Sequence, residues 1–97
     1  MPEERALAEA ARMANRSGLY VCPQTAVALA GLRQAVAAGA VREGERVVVL
    51  STAHGLKFTE FEAAVEQGTL PGAEGPPGNR PIELPADLDA VRRALAA

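Results

Sequence analysis

Aromatic side chains are scarce in this sequence of 97 residues: tryptophan is absent, and only Tyr20, Phe58 and Phe61 carry aromatic rings of the Phe, Trp or Tyr type. Such residues supply much of the energy of a hydrophobic core. Apolar residues make up 48% of the chain, but much of that share is alanine, which buries little area per residue. The drive to close a core is therefore weaker than the percentage suggests. A chain this short also buries a smaller fraction of its surface than a large domain does. The expectation is a single small domain over residues 1–97 that leans on further protein.

Other scarcities narrow the chemistry. Cys22, His54 and Lys57 are each the only residue of their type. One cysteine excludes an internal disulfide and fits a reducing compartment. A metal site needs three or four convergent ligands, and no cluster has ligand spacing, so no metal is expected. Gly72, Gly75 and Gly78 sit among prolines and lead into no helix, which excludes a phosphate-cradling loop. With a net charge of −2 and no basic stripe, nucleic acid is not an expected partner. The longest apolar-rich stretch, Thr25 to Val41, is interrupted by Arg33 and Gln34 and is too short for a membrane span. The first residues, Met1-Pro2-Glu3-Glu4-Arg5, mix both charges and have no apolar signal core. These features predict a soluble, cytoplasmic protein with no membrane partner. A Cys22–His54 nucleophilic pair is formally open, with less weight than a small buried thiol and an unrelated loop histidine.

Periodicity supplies the elements. Leu7, Ala10, Ala11 and Ala14 recur at helical spacing and predict an amphipathic helix over residues 3–16, with Gly18 as its stop. Leu19-Tyr20-Val21-Cys22 is a short extended run closed by Pro23. A second helix follows from about Gln24 to about Ala38, apolar on most of its circumference and so expected to be largely buried. Gly31 in its middle marks either a close backbone approach or simple tolerance. The continuous run Val47-Val48-Val49-Leu50 reads as a strand buried on both faces, typical of parallel sheets. Strand, helix and strand would make a right-handed βαβ unit whose sheet edges are open. A short helix with Thr59 as N-cap, a Gly/Pro-rich loop from Gly68 to Pro81, and a last helix from about Asp87 to Leu95 complete the pattern. The predicted class is α/β, an incomplete helix-strand-helix-strand-helix-helix unit with two short parallel strands.

The end of the second strand is the informative place, because ligands bind outside the carboxyl ends of strands in open α/β sheets. Ser51 and Thr52 stand there, followed by Ala53, His54 and Gly55. Their hydroxyls can satisfy backbone groups where the strand ends, or hydrogen-bond a ring nitrogen without supplying charge. The residues by themselves favour the first use.

The segment Val47 to Phe58, with Ser51-Thr52-Ala53-His54-Gly55-Leu56-Lys57-Phe58 at its heart, resembles the strand-and-loop signature of threonine synthases. Gly18 to Ala30, containing Cys22-Pro23-Gln24-Thr25, resembles the pocket-wall strand of the same family and the helix after it. Pro76-Pro77 through Asp87, with Ala90-Val91, fits the family's C-terminal tail loosely, so the resemblance covers residues 17–97. It implies a piece of the tryptophan synthase β-type fold. It also implies a pyridoxal 5'-phosphate (PLP) lyase of threonine biosynthesis, converting O-phosphohomoserine and water to threonine and phosphate. Carried over by motif position, Thr52 would face the pyridine nitrogen of the cofactor, and Gln24 and Cys22 would border the ring face. Relatives often have Glu-Pro where this chain has Cys22-Pro23, so no carboxylate role carries over.

The family's Schiff-base lysine, its asparagine beside the cofactor hydroxyl and its glycine-rich phosphate cup lie far towards the N-terminus and have no counterpart here. Lys57 matches a position outside the Schiff-base role. The resemblance thus implies a C-terminal part without catalytic residues of its own, inactive and without bound cofactor alone, whose partner is the missing N-terminal part or a second copy of the chain. A non-catalytic, self-associating module is the rival from another class. Cysteate synthase and threonine dehydratase share the fold, but Ser51 to Gly55 leans towards threonine synthase.

Overall fold

The computed structural model describes residues 2–74 and 80–96. Four helices carry them: α1 (Glu4–Arg16), α2 (Pro23–Ala37), α3 (Thr59–Gln67) and α4 (Leu88–Ala96), with a 3-10 turn at Gly55–Lys57. Residues 75–79 of the expected Gly/Pro loop, including Pro76 and Pro77 of the resemblance, lie outside the described residues.

The helix ends follow from local sequence. α1 stops where Gly18 takes a φ of 91°, a conformation open to glycine because it has no Cβ. Gly18 N–H then bonds Asn15 O and Leu19 N–H bonds Ala14 O, which satisfies carbonyls the helix would leave orphaned. α2 repeats the device at Gly39, with Ala40 N–H on Ala35 O at 2.9 Å. α2 opens on Pro23, whose missing N–H costs nothing in the first turn. At α4, Asp87 Oδ2 accepts from Ala90 N–H at 2.9 Å and caps the helix. At α3 the expected Thr59 cap is corrected: Thr59 is the first helical residue, and Phe58 precedes it without a side-chain cap.

The expected α/β class with two parallel strands is also corrected. Among the described residues no strand forms. In place of paired strands there is one isolated antiparallel bridge among the described residues, Val21 to His54, supported by Gly55 N–H on Tyr20 O at 3.1 Å. A strand exists only as one member of a pair, and among the described residues no backbone–backbone hydrogen bond joins residues 46–51 to another segment. Val48 and Leu50 are each 77% exposed, so the apolar run that predicted a buried strand lies open.

Small residues build the core. Ala8 and Ala11 of α1 pack with Ala26 of α2, Val65 of α3 and Ala73, flanked by Leu7, Phe61 and Leu70. α1 is the central element, touching both α2 and α3. Its predicted inward face is observed, with Ala10, Ala11 and Ala14 buried. α2 departs from expectation: only Thr25, Ala26 and Ala30 are buried, and Val27 and Val36 face outward. Among the described residues nothing covers its second apolar face. Buried Arg12 ties the loop after α3 to α1 by donating to the carbonyls of Ala73 and Glu74. The radius of gyration is 16.1 Å, against about 12.5 Å for a compact domain of this length. One small core joins three helices, and the remainder extends away from it.

Gly31 resolves as tolerance, since a Cβ built there meets only Pro2 Cγ, at 4.0 Å. Gly31→Ala is therefore expected to stabilise the chain by about 0.5–1 kcal/mol, the usual helix-interior difference. Thermal melting followed by circular dichroism should rise by about 2–8 °C. A fall would show that α2 is packed against another backbone at this point.

Candidate functional site

Two chain segments meet where the extended 46–53 segment passes the start of α2. Cys22 is the N-cap residue of α2 and is fully buried. Its Sγ lies 3.2 Å from Thr25 Oγ1 and 3.9 Å from Thr52 Oγ1. Thr25 Oγ1 donates to Ser51 Oγ at 3.5 Å. A thiol and three hydroxyls thus form one hydrogen-bonded group, with Cys22 and Thr25 inside and Ser51 and Thr52 exposed at its edge. The Cys22 thiol is pulled down to about 7, first by the Thr25 side-chain hydrogen bond and further by the backbone N–H groups of Thr25 and Ala53 and the Thr52 side chain, against the opposing effect of burial. A cysteine at a helix N-terminus surrounded by donors behaves in this way.

Beside this group the chain turns under Tyr20. The Tyr20 and His54 rings meet edge to face with centroids 5.5 Å apart. Gly55 lies beneath the Tyr20 ring, where a Cβ would stand 2.8 Å from Tyr20 Cδ1, so any larger residue would displace the ring. His54 Nδ1 accepts from Leu56 N–H at 3.2 Å, which opens the 3-10 turn. No hydrogen bond joins Cys22 to His54 among the described residues, and the histidine is committed to the turn and the tyrosine. An open groove of about 390 Å³ runs along Gly18, Leu19, Tyr20, Ser51, Ala53 and His54. Thr52 and Gln24 do not line it. Gln24 is exposed on the first turn of α2, outside the hydroxyl group, and Lys57 is exposed at the end of the 3-10 turn.

A second polar group joins α1 to α3 behind Tyr20, and nothing in the motifs announced it. Asn15 Nδ2 donates to Glu62 Oε2 at 3.0 Å and to Glu66 Oε1 at 3.1 Å. Glu62 is 1% exposed, and its Oε1 and Asn15 Oδ1 are buried without a hydrogen-bond partner. Desolvation raises the Glu62 carboxyl above its ordinary range, and the neighbouring Glu66 charge adds to this. Burial and the charges of Glu62 and Glu66 raise the Tyr20 phenol likewise. Together with Glu60 and Glu83 these residues line an acidic groove of about 360 Å³. The available signal was spacing: Glu62 lies three residues before buried Val65, on the same face of α3.

No family model matches the chain. Relatives do. Over 92 residues, 95% of its length, the chain is 33% identical to "Threonine synthase 2, chloroplastic" from Arabidopsis thaliana, of which this covers 18%. It is 29% identical over 83 residues, 86% of its length, to "Threonine synthase" from Methanocaldococcus jannaschii, again covering 18% of that protein. The chain thus spans less than a fifth of the curated relatives it matches. The likeness drawn from the Ser51–Phe58 segment holds, and it is to the C-terminal portion of threonine synthases. Among the described residues no helix is long and apolar enough to cross a membrane, and no group of acidic, histidine or cysteine residues could hold a metal ion.

Glu62 gives the α1–α3 junction a pH dependence. A carboxyl that holds its proton more tightly folded than unfolded stabilises the fold while protonated, and that contribution is lost as pH rises through the folded pKa. Glu62→Gln stays neutral throughout. It is expected to melt higher than the parent chain near neutral pH and to lose this part of the decline as pH rises above the ordinary carboxylate range. Parallel melting curves for the two chains would show that Glu62 ionises without cost.

Proposed function

We propose that this chain supplies the C-terminal, cofactor-facing part of a PLP-dependent threonine synthase, a lyase that turns O-phosphohomoserine and water into threonine and phosphate. The observation that carries this reading is the alignment over 95% of the chain with a threonine synthase. The hydroxyl group at the end of the 46–52 segment supports it. The cofactor, when bound, supplies an electron sink for elimination and replacement chemistry. Thr52 presents an exposed, uncharged hydroxyl suited to the edge of a pyridine ring. A neutral partner leaves the ring less electron-withdrawing than a carboxylate would. The residues present fit that edge of the group alone. Lys57, the sole lysine, stands exposed on the 3-10 turn, and no glycine-rich phosphate cradle accompanies it. The chain is accordingly inactive by itself. Gln24, exposed on the neighbouring helix turn, is a secondary candidate for the ring's surroundings.

In this reading the 46–51 segment becomes a strand, giving the α/β character its sequence predicts, once the rest of the enzyme lies beside it. The same deficit supports association. Val48, Leu50, Ile82 and Leu95 are each at least 70% exposed. The partner is the remainder of the enzyme or, in its absence, a second copy of this chain. A reduced, buried Cys22 suits a reducing compartment such as the cytoplasm.

A threonine synthase whose matching C-terminal segment is replaced by this chain tests the assignment. Threonine formation should persist, and Thr52→Val should lower it by about tenfold to a hundredfold, the worth of one hydrogen bond to a ring partner. Thr52→Ser should keep most of it. An unaffected Thr52→Val variant, or threonine formation by the 97-residue chain alone, would sink the proposal. Light scattering on the isolated chain tests association: dimers or larger species are expected, and a strictly monomeric solution at all concentrations contradicts it.

A further inference from the structure

We propose that the acidic groove beside Tyr20 is a binding site for a guanidinium group, held between the Glu62–Glu66 pair of α3 and the Tyr20 ring. The site is independent of the threonine synthase reading and uses none of the hydroxyl group at Thr52.

The charged side chains of the groove have one sign. Glu60, Glu62 and Glu66 line it with Tyr20 and Glu83, and among the described residues no lysine, arginine or histidine does. Acidic side chains on a helix surface ordinarily turn to water and need no ligand. Glu62 does not: it is 1% exposed, and its Oε1 is buried with no hydrogen-bond partner. Asn15 Nδ2 gives its two hydrogens to Glu62 Oε2 and Glu66 Oε1, at 3.0 and 3.1 Å, and so gathers two carboxylates around one amide nitrogen. A neutral amide cannot cancel either charge, and Asn15 has no third hydrogen for Oε1. The same two charges act on the Tyr20 phenol, which stands in the wall of the groove, so the pair is turned to the groove side of α3. A buried carboxylate calls for positive charge with hydrogen-bond donors close by.

The kind of cation follows from the layout. Among the described residues no group of acidic, histidine or cysteine side chains converges closely enough to hold a metal ion. Glu62 and Glu66 stand one helical turn apart, a separation of about 6 Å between Cβ atoms. A guanidinium reaches across such a pair, because its N–H donors are spread over a flat fork. Its face also suits the Tyr20 ring, and an ammonium, a compact point charge, offers neither feature. The groove, about 360 Å³, has room for the head group.

Proton and cation are alternatives at this place. Facing Glu62 are Asn15 from α1, Glu66 from α3, and Tyr20 and His54 from the bridged turn. Burial and the Glu66 charge favour the proton, while the Asn15 hydrogen bond and the His54 charge oppose it. Guanidinium binding should therefore strengthen as pH rises above the ordinary carboxylate range and the Glu62 proton leaves.

The test uses the 97-residue chain with methylguanidine as the probe. Tetramethylammonium, of equal charge but without N–H donors, is the control at the same ionic strength. Tyr20 is the sole tyrosine and tryptophan is absent, so intrinsic fluorescence reports the wall of the groove. The Asn15 side-chain amide, followed by NMR, reports the carboxylate pair. Methylguanidine should shift both signals saturably and raise the melting temperature, because it binds the folded chain. Tetramethylammonium should do neither. Glu62→Gln should weaken binding by about tenfold, the effect of losing a charged hydrogen-bond partner, and Glu66→Gln should weaken it as well. Shifts that never saturate, shifts that tetramethylammonium reproduces, or unchanged affinity in both variants would overturn the site. A second arm separates the sources of the group. If a capped tripeptide of arginine between two glycines binds at least as tightly as methylguanidine, the guanidinium belongs to an arginine of another polypeptide. If the tripeptide is excluded while methylguanidine still binds, it belongs to a free small ligand.

Discussion

The contact between α1 and α2 is made of alanine, and the size of that side chain governs what else the chain can do. Ala8, Ala11 and Ala26 let the two helices approach closely. Each contributes only one methyl group to the core, worth about 0.8 kcal/mol. Larger residues at these points would hold the helices apart and enclose more volume. As built, the core seats α1 on α2 and α3 and has no surface left for the 46–51 segment, for the outer face of α2, or for α4. The exposed valines and leucines are therefore the direct counterpart of a core made from small residues.

That same seating determines where the hydroxyl group forms. α1 holds α2 by Ala26, one residue from Thr25, so the first turn of α2 is anchored in the core. Pro23 and the N-cap at Cys22 then place a thiol and a hydroxyl on the inner side of that turn. Among the described residues the 46–53 segment is held at its end, by the contacts of Ser51 and Thr52 to Thr25 and Cys22 and by the Val21–His54 bridge just beyond it. A rigid helix start thus gives a fixed address to a segment that is otherwise without partners. Tyr20 over Gly55 closes the turn from the other side.

Much of this could be read from the residues. The helices α1, α3 and α4 follow from periodicity and from Gly18, Gly68 and Asp87, because those signals act within a few residues and need no tertiary partner. The strand reading of Val47 to Leu50 departed from the structure because strand formation is a property of pairs, and no segment among the described residues pairs with this run. The burial expected for α2 departed for the same reason. Its apolar circumference implies surroundings that the described residues do not supply. At the site, Ser51 and Thr52 were legible through their motif, but their link to Cys22 and Thr25 was not. Residues about thirty positions apart meet there only after α2 has been packed. The Asn15–Glu62 contact was hidden because a glutamate on a short helix ordinarily signals solvent.

The apolar and polar deficits of the molecule differ in kind. Exposed Val47, Val48, Leu50, Ile82 and Leu84 are spread along the extended segments, and only a surface of matching breadth could cover them. The unpartnered Glu62 Oε1 and Asn15 Oδ1 lie at one buried point between α1 and α3. A single proton on Glu62 would remove its charge and supply the donor that this point lacks. The polar junction can therefore complete itself within the chain, and the apolar segments cannot. What this sequence keeps for itself is a small helical seat and a cluster of one thiol and three hydroxyls. What it offers outward is extended segments with apolar side chains and backbone groups ready to be paired.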